Sequence, residues 1–259
     1  MPEKRPLDVV LTVDVGNTST GCAVFRGETI VFRRHIPTPK KWPAGQLRIL
    51  LNAAWAAKLS AVIVSSVVPP LDRALAADCK KTLGLRAVFI DHRTPTGISL
   101  KIDRPSELGA DRIADCLGAL RFFPPPLIVI DSGTATTFDL LNKKKEYCGG
   151  AILPGITIAV KSLAENTARL KNITFAVPAS PVGTNTVHSI RAGIFYGYVG
   201  TLTHLIALYK GILGADSQVI ATGGLIRYFK GRVPGIDRFE PDLLFYGLKS
   251  VHDRQRSSL

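Results

Sequence analysis

The chain has 259 residues, of which 46% are hydrophobic and 20% charged, and its formal net charge at pH 7 is +13. These proportions are typical of globular proteins and exclude a disordered or fibrous chain. The length allows one large domain or two lobes of roughly 100 to 150 residues each.

In the first half of the chain, strands are predicted before helices. A β-branched run predicts a buried strand at Val9–Val13, which ends in a tight turn and continues as a hairpin over Thr20–Phe25 and Thr29–Arg34. The later elements expected here are a helix at Gln46–Leu59, a strand at Ala61–Val67, a helix at Leu71–Leu83 with Gly84 as C-cap, a strand at Ala87–Ile90, and a helix at Ser106–Leu120 with Ser106 as N-cap.

The opening pattern recurs after Pro124–Pro126. A buried strand at Leu127–Ile130 ends in Asp131, which follows Asp14 by 117 residues, and a glycine turn and a Thr-rich hairpin come next. The elements expected later are helices at Ile158–Arg169, at Thr186–Leu213 with a break near Gly200, and at Pro241–Val251, and a strand at Gln218–Thr222. We therefore expect an α/β fold of two duplicated lobes, residues 1–122 and 123–259, each with a sheet flanked by helices.

Each repeat places an acid, a glycine and threonines where a buried strand ends. In the first turn (Asp14–Thr20) the glycine lets backbone N–H groups approach a ligand, and the acid suits a hydrated Mg²⁺. The second turn (Asp131–Thr136) has the same pattern, and the third turn (Thr222–Gly224) has room for a ribose or a base. Two such turns facing each other across a cleft would hold a nucleotide, whereas a single one is also explained as an ordinary hairpin turn.

Charge and cysteine usage bear on partners and compartment. The positive charge fits either nucleic-acid binding or the steering of small anions, and the basic residues are spread along the chain in short clusters, so we expect no nucleic-acid partner. The four cysteines show no CxxC pair, which favours free thiols. No signal peptide is visible and no apolar run reaches the roughly 18 residues of a membrane span, so we expect a cytoplasmic protein without a membrane partner.

Several motifs in order along the chain resemble those of the type III pantothenate kinases. They are VDVGNTST (13–20), SSVVPP (65–70), PSELGADR (105–112), DSGTATTFD (131–139), GGAILPGI (149–156), GTNTVHSIRAGIFYGYVG (183–200), VIATGGL (219–225) and PDLLFYGL (241–248). The resemblance implies the actin-like (ribonuclease H-like) fold with a cleft between its lobes. It also implies ATP-dependent phosphorylation of pantothenate to 4'-phosphopantothenate, the first step of coenzyme A biosynthesis.

The resemblance also implies a set of nucleotide and cation contacts. ATP phosphates would lie on the first turn and the glycine after it, and a threonine of the second turn would contact ATP as well. An acid of the second turn would help to bind K⁺ or NH₄⁺, and Mg²⁺ would accompany ATP. The residues carried over are Asp14, Val15, Gly16, Asn17, Thr18, Ser19, Thr20 and Gly21 for the phosphates, Thr134 for ATP, and Asp131 for the monovalent cation.

The GADR motif (Gly109, Ala110, Asp111 and Arg112) would bind pantothenate, with Asp111 as the catalytic base. Thr186 would reach pantothenate from the neighbouring subunit of a homodimer, whose interface we expect on the helix that contains Gly193–Leu208. The chemistry agrees, because phosphoryl transfer to an alcohol needs a carboxylate to take the hydroxyl proton, and a guanidinium binds a carboxylate through paired hydrogen bonds. We expect Asp14, Asp111 and Asp131 to converge on one nucleotide and its acceptor.

Three alternatives stay open at this point. An isolated Asp-Arg pair is more often an exposed ion pair on a helix. Asp115 shares a helix face with Asp111 and would suit a helper acid, although a solvated helix charge is the expectation we favour. The high charge also fits a catalytically weak relative that acts as a nucleic-acid-binding or transcriptional accessory protein. Finally, Ile102 stands where the family usually has a tyrosine, which suits a kinase with another small acceptor.

Overall fold

The computed structural model describes residues 8–51, 53–165 and 173–257, which form two compact units. The first unit contains the described part of residues 1–98 together with 103–121 and 243–257, and the second contains the described part of 99–102 and 122–242. The chain crosses from the first unit to the second between Arg121 and Phe122, and the sequence analysis expected a boundary at residue 122. The C-terminal segment belongs to the first unit.

A five-stranded mixed sheet organises the first unit. Its strand order is β3-β2-β1-β4-β5, with β1, β2 and β3 antiparallel and β1, β4 and β5 parallel. The central strands β1 and β4 are mostly apolar, and residues on both of their faces are buried. The strands are β1 (Val9–Val15), β2 (Ser19–Arg26), β3 (Thr29–Pro37), β4 (Ala61–Ser66) and β5 (Ala87–Phe89).

Helices cover both faces of this sheet. One face packs against the first three helices, and the residues shared between them include Leu11, Val13, Leu47 and Leu75. On the other face the last helix of the chain contacts β1, β2 and β4, where Tyr246 meets Phe25 edge to face. The helices are α1 (Gln46–Leu50), α2 (Ala53–Ala56), α3 (Pro69–Leu83), α4 (Ala110–Phe122) and α7 (Leu243–Ser257), and Gly84 caps α3 in the left-handed conformation as predicted.

The second unit repeats the strand order of the first. Its sheet runs β11-β10-β7-β8-β9-β6, so strands β9-β8-β7-β10-β11 match β3-β2-β1-β4-β5 in both order and direction, and β6 is added at one edge. This agreement confirms the predicted duplication. The strands are β6 (Ser99–Leu100), β7 (Leu127–Ser132), β8 (Ala135–Leu141), β9 (Glu146–Pro154), β10 (Gln218–Thr222) and β11 (Arg238–Phe239).

Two helices pack on one face of the second sheet. They are α5 (Ile156–Glu165) and α6 (Thr186–Leu213), and their apolar residues share a core with β7, β8 and β10. The long helix is continuous through Gly200, so the expected break is wrong. The predicted start of α5 at Ile158 moves to Ile156, and its predicted end at Arg169 lies outside the described residues. No helix in the described segments is long and apolar enough to cross a membrane.

Two other helix predictions were wrong in the first unit. The helix expected over Gln46–Leu59 is replaced by α1 and α2, since Leu51 is extended with φ −107° and ψ 147° and ends α1. Ser106 is not an N-cap. It lies in a 3-10 turn at Pro105–Glu107, and because Leu108 is extended with ψ 121°, α4 begins only at Ala110.

Candidate functional site

The first turn lies between β1 and β2 and is closed by its own backbone. The Gly16 N–H donates to the Ser19 carbonyl oxygen over 3.0 Å, and a Cβ atom on Gly16 would lie only 2.9 Å from that oxygen. The close approach therefore favours glycine. Asn17, Thr18 and Ser19 are exposed. The turn thus presents amide and hydroxyl groups to solvent, as a phosphate-binding turn requires.

The end of β3 and the segment after it hold this turn from behind. The Thr38 hydroxyl lies 2.6 Å from the Gly16 carbonyl oxygen and 2.9 Å from the Thr20 hydroxyl, and the Thr38 N–H donates to the Thr18 carbonyl oxygen over 3.0 Å. Sequence reasoning gave Thr38 no role, since it follows the turn by some twenty residues and carries no motif. The pairing of β2 with β3 is what brings it there.

The GADR motif lies beside the end of the strand that carries the first turn. The Val67 N–H donates to the Val15 carbonyl oxygen over 3.0 Å, which continues the pairing of β4 with β1 by one residue. A Cβ atom on Gly109 would lie 3.5 Å from Val67 Cγ1 and 2.3 Å from Asp111 Oδ1. Val67 therefore connects the end of β1 to Gly109, and Gly109 in turn packs directly against the Asp111 carboxylate.

Asp111 is half-buried in the first turn of α4. Burial raises the pKa of Asp111, although the Arg112 N–H, which donates to Asp111 Oδ1 over 2.8 Å, and the Arg112 charge act in the opposite direction. A carboxylate with a raised pKa is a stronger base than an ordinary one, which suits proton abstraction from an alcohol. Ala110 is buried and Arg112 is half-buried beside it.

Close helix packing fixes the position of α4. A Cβ atom on Gly118 would lie 2.1 Å from the Leu243 carbonyl oxygen, and one on Gly247 would lie 1.8 Å from the Ala114 carbonyl oxygen, so the backbones of α4 and α7 touch. Most residues of α4 are buried. Asp115 is only 2% exposed, and the expectation of a solvated helix charge there is wrong.

The second unit gathers oxygen atoms around the third turn. Asp131, the penultimate residue of β7, pairs with Thr222 of β10, and Gly223 after that threonine has a positive φ of +93°. A Cβ atom on Gly223 would lie 2.3 Å from Asp131 Oδ1 and 2.5 Å from the Ser132 carbonyl oxygen. Hard cations bind carboxylate and carbonyl oxygens as ligands, so these oxygens fit a monovalent cation.

Two threonines of the predicted site also belong to the second unit. Thr134 is exposed, and its carbonyl oxygen accepts from the Gly155 N–H over 3.1 Å, where a Cβ atom on Gly155 would lie only 2.2 Å away. Thr186 is exposed at the start of α6, after Asn185, whose side chain accepts from the His188 N–H.

The structure brings some of the predicted residues together within each unit. In the first unit, the first turn, Gly21 and the GADR motif lie at the ends of β1 and β4. In the second, Asp131, Thr134 and the third turn surround the start of β8 and the end of β10. Among the described residues, no group of three or more His, Cys, Asp or Glu side chains is arranged as a metal-binding cluster.

The sequence matches one protein family over most of its length. The family model of the type III pantothenate kinases matches residues 10–208. The type III pantothenate kinase of Anaeromyxobacter sp. (strain K) is 38% identical over 256 residues, which cover 96% of this chain and 100% of that protein. The type III pantothenate kinase of Halalkalibacterium halodurans is 34% identical over 252 residues, which cover 95% of this chain and 99% of that protein.

Solved structures show a shared fold at low sequence identity. MreB 5 of Spiroplasma citri, solved with AMPPNP, matches with a TM-score of 0.53 and 10% identity over 100% of both chains. Component A of the Acidaminococcus fermentans (R)-2-hydroxyglutaryl-CoA dehydratase matches with a TM-score of 0.51 and 13% identity, over 97% of this chain and 100% of that one. The fold is therefore the actin-like α/β fold with two mixed sheets flanked by helices.

Proposed function

The chain belongs to the type III pantothenate kinases, and on that premise we propose that it uses ATP to phosphorylate the hydroxyl group of pantothenate, the first step of coenzyme A biosynthesis. It is a phosphotransferase with an alcohol acceptor. The matches favour this activity over a nucleic-acid-binding or transcriptional accessory role.

The observation that carries the proposal is the position of Asp111. Its carboxylate, half-buried and with a raised pKa, lies against Gly109, which packs on Val67 beside the strand that ends in the first turn. Asp111 would accept the hydroxyl proton of pantothenate as the bond to phosphorus forms. Arg112 would bind the pantothenate carboxylate, with Gly109 and Ala110 shaping the same site.

The nucleotide would lie on the first turn. The exposed amide and hydroxyl groups of Asn17, Thr18 and Ser19 suit phosphate oxygens, and we propose Thr134, which is also exposed, as a further ATP contact. Asp14 would hold Mg²⁺ through water and Asp131 would hold K⁺ or NH₄⁺. When bound, these cations would neutralise part of the negative charge of the phosphates.

We also propose a homodimer in the cytoplasm. On α6 the side chains of Tyr196, Leu208 and Ile212 are 41%, 48% and 73% exposed, and a second subunit would cover part of this helix. Thr186, exposed at the start of the same helix, would then contact pantothenate across the interface. The four cysteines are free thiols, as in proteins of a reducing compartment.

The experiment that tests the function is an ADP-release assay with ATP, Mg²⁺, K⁺ and pantothenate. We expect pantothenate-dependent release of ADP and lower activity when K⁺ is omitted. Other small hydroxy acids, assayed in parallel, test the alternative acceptor that Ile102 raised. In the structure Ile102 packs against Gly149 of β9, and its Cγ2 lies 3.7 Å from the position of a Cβ atom there. Turnover of another hydroxy acid in preference to pantothenate would contradict the proposed substrate.

A further inference from the structure

A threonine outside every recognised motif holds the first turn. Thr38 contacts three positions of that turn: its hydroxyl lies 2.6 Å from the Gly16 carbonyl oxygen and 2.9 Å from the Thr20 hydroxyl, and its N–H donates to the Thr18 carbonyl oxygen. A role for Thr38 in nucleotide binding rests on the proposed kinase function, because the first turn is the element that would receive the phosphates of ATP.

The number of hydroxyl protons gives the direction of these hydrogen bonds. A threonine hydroxyl carries one hydrogen and can donate only once. Thr38 donates that hydrogen to the Gly16 carbonyl oxygen, so in the contact between the two hydroxyls Thr20 is the donor and Thr38 the acceptor. The hydrogen bonds therefore run from Thr20 to Thr38 and from Thr38 to Gly16.

This direction changes the role expected for Thr20. The Thr20 side chain is fully buried, and its one hydroxyl hydrogen is committed to Thr38. A phosphate oxygen needs a hydrogen-bond donor, so Thr20 has none to offer a nucleotide in this arrangement. Asn17, Thr18 and Ser19 are exposed, and they are the residues of the turn that a nucleotide can reach.

We propose that Thr38 is a positioning residue for the nucleotide, and that Thr20 acts with it rather than as a direct phosphate ligand. The Thr20–Thr38–Gly16 chain fixes the Gly16 carbonyl oxygen toward Thr38. This carbonyl oxygen would repel a phosphate, and its hydrogen bond to Thr38 keeps it turned away from the nucleotide. The same hydrogen bond orders Gly16 before ATP binds. Binding then costs less conformational entropy than it would on a free turn.

The segment that carries Thr38 is itself anchored on its other side. Four residues later, the Trp42 Nε1–H donates to Asp78 Oδ2 of α3 over 3.0 Å, and both side chains are buried. Thr38 is thus fixed between the sheet and α3, and is not part of a free loop. Because the Trp42–Asp78 hydrogen bond fixes its segment, Thr38 can hold the first turn in one conformation.

The test compares Thr38→Val with Thr38→Ser. Both variants keep the backbone hydrogen bond to Thr18, and only Val lacks the hydroxyl. We expect Thr38→Val to weaken Mg·ATP binding, measured by calorimetry, about 5- to 50-fold, with the KM for pantothenate changed less than about twofold. Thr38→Ser should stay within about threefold of the wild type. Hydrogen exchange in the peptide containing residues 16–20 should be faster in Thr38→Val only.

Thr12→Val is the matched control. The Thr12 hydroxyl donates to the Ala23 carbonyl oxygen over 3.1 Å in the same hairpin, so this variant removes a hydroxyl hydrogen bond next to the turn but none within it. Its ATP affinity should equal that of the wild type. Unchanged ATP binding in folded Thr38→Val, or equal losses in Val and Ser, would overturn the proposal. A wild-type protein that binds ATP but does not phosphorylate pantothenate would contradict the proposed function alone.

Discussion

Gly223 and Asp131 approach each other so closely that a Cβ atom on Gly223 would lie 2.3 Å from Asp131 Oδ1. The φ of Gly223 is +93°, a conformation that side chains with a Cβ rarely adopt. The third turn therefore sets the position of the carboxylate at the end of β7, and the sequence showed only that a glycine follows Thr222.

Replacing this glycine is expected to displace the carboxylate. Gly223→Ala should lower kcat at least tenfold and raise the K⁺ concentration for half-maximal activity, since Asp131 is the proposed cation ligand. It should also destabilise the fold by about 1–3 kcal/mol, because of the positive φ. Gly224→Ala is the control, since nothing lies within 4 Å of a Cβ there. Equal K⁺ dependence in the two variants would contradict the role of Asp131.

Asp111→Asn tests the proposed base. We expect kcat to fall about 10²- to 10⁴-fold, because the amide cannot take the hydroxyl proton. Burial raises the pKa of Asp111, so ionisation at neutral pH costs folding stability, and the melting temperature of the variant should be unchanged or higher. Glu107→Gln, an exposed carboxylate paired with Arg104, should behave like the wild type. Full activity in Asp111→Asn would exclude the base.

The pH profile gives a second test of the same residue. A base must be deprotonated to act, so kcat/KM should fall as the pH decreases through the pKa of Asp111. Because burial raises that pKa, the decline should begin at a higher pH than for an ordinary aspartate. The residual activity of Asp111→Asn should lack this decline. A decline that survives in the variant would assign it to another group.

Asp78 anchors the segment between β3 and α1. Its carboxylate accepts hydrogen bonds from Trp42, Gly45, Leu47 and Thr82 over 2.7 to 3.0 Å. Burial acts to raise its pKa, but the hydrogen bonds, first among them that from Leu47, outweigh burial and lower it. The stabilisation is therefore complete at neutral pH and is lost as the pH falls through the lowered pKa.

Asp78→Asn should lower the free energy of unfolding by about 2–3 kcal/mol at pH 7, measured by urea denaturation, with a smaller difference in acid. Asp72→Asn, on the same helix, is the control of opposite sign. Burial raises the pKa of Asp72 despite a hydrogen bond from Ser66, so its charge costs stability at pH 7. That variant should be neutral or stabilising. A loss of the same size in both variants would contradict the opposite signs of the two pKa shifts.

The thiols should differ sharply in reactivity. Cys22, Cys79 and Cys116 are buried and Cys148 is exposed. Burial raises the pKa of Cys22 to about 11 and that of Cys79 to about 12, so both are protonated at neutral pH. A disulfide-exchange reagent should therefore label one thiol per native chain and four after denaturation. Cys148→Ser should abolish the native reaction, and rapid labelling that persists there would show that a buried thiol is accessible.

The sequence by itself determined the elements that local patterns encode. Buried β-branched runs predict strands because a strand covered on both faces contains few polar residues, and the repeated strand–acid–glycine pattern predicted two duplicated sheets. The positions of Asp14 and Asp131 near strand ends followed from the same runs. The spacing of the cysteines predicted free thiols. These features depend on neighbours within a few residues, so no tertiary contact was needed to find them.

The tertiary structure decided which distant residues meet. Val67 joins the end of β1 to Gly109, Thr38 holds the first turn, the backbones of α4 and α7 touch at Gly118 and Gly247, and Asp115 is buried. No local pattern in the sequence indicates these contacts, because each depends on strand pairing or helix packing between residues far apart in the chain. The broken helix at Leu51 and the late start of α4 have the same cause: tertiary packing outweighs helix propensities that amount to less than about 1 kcal/mol per residue.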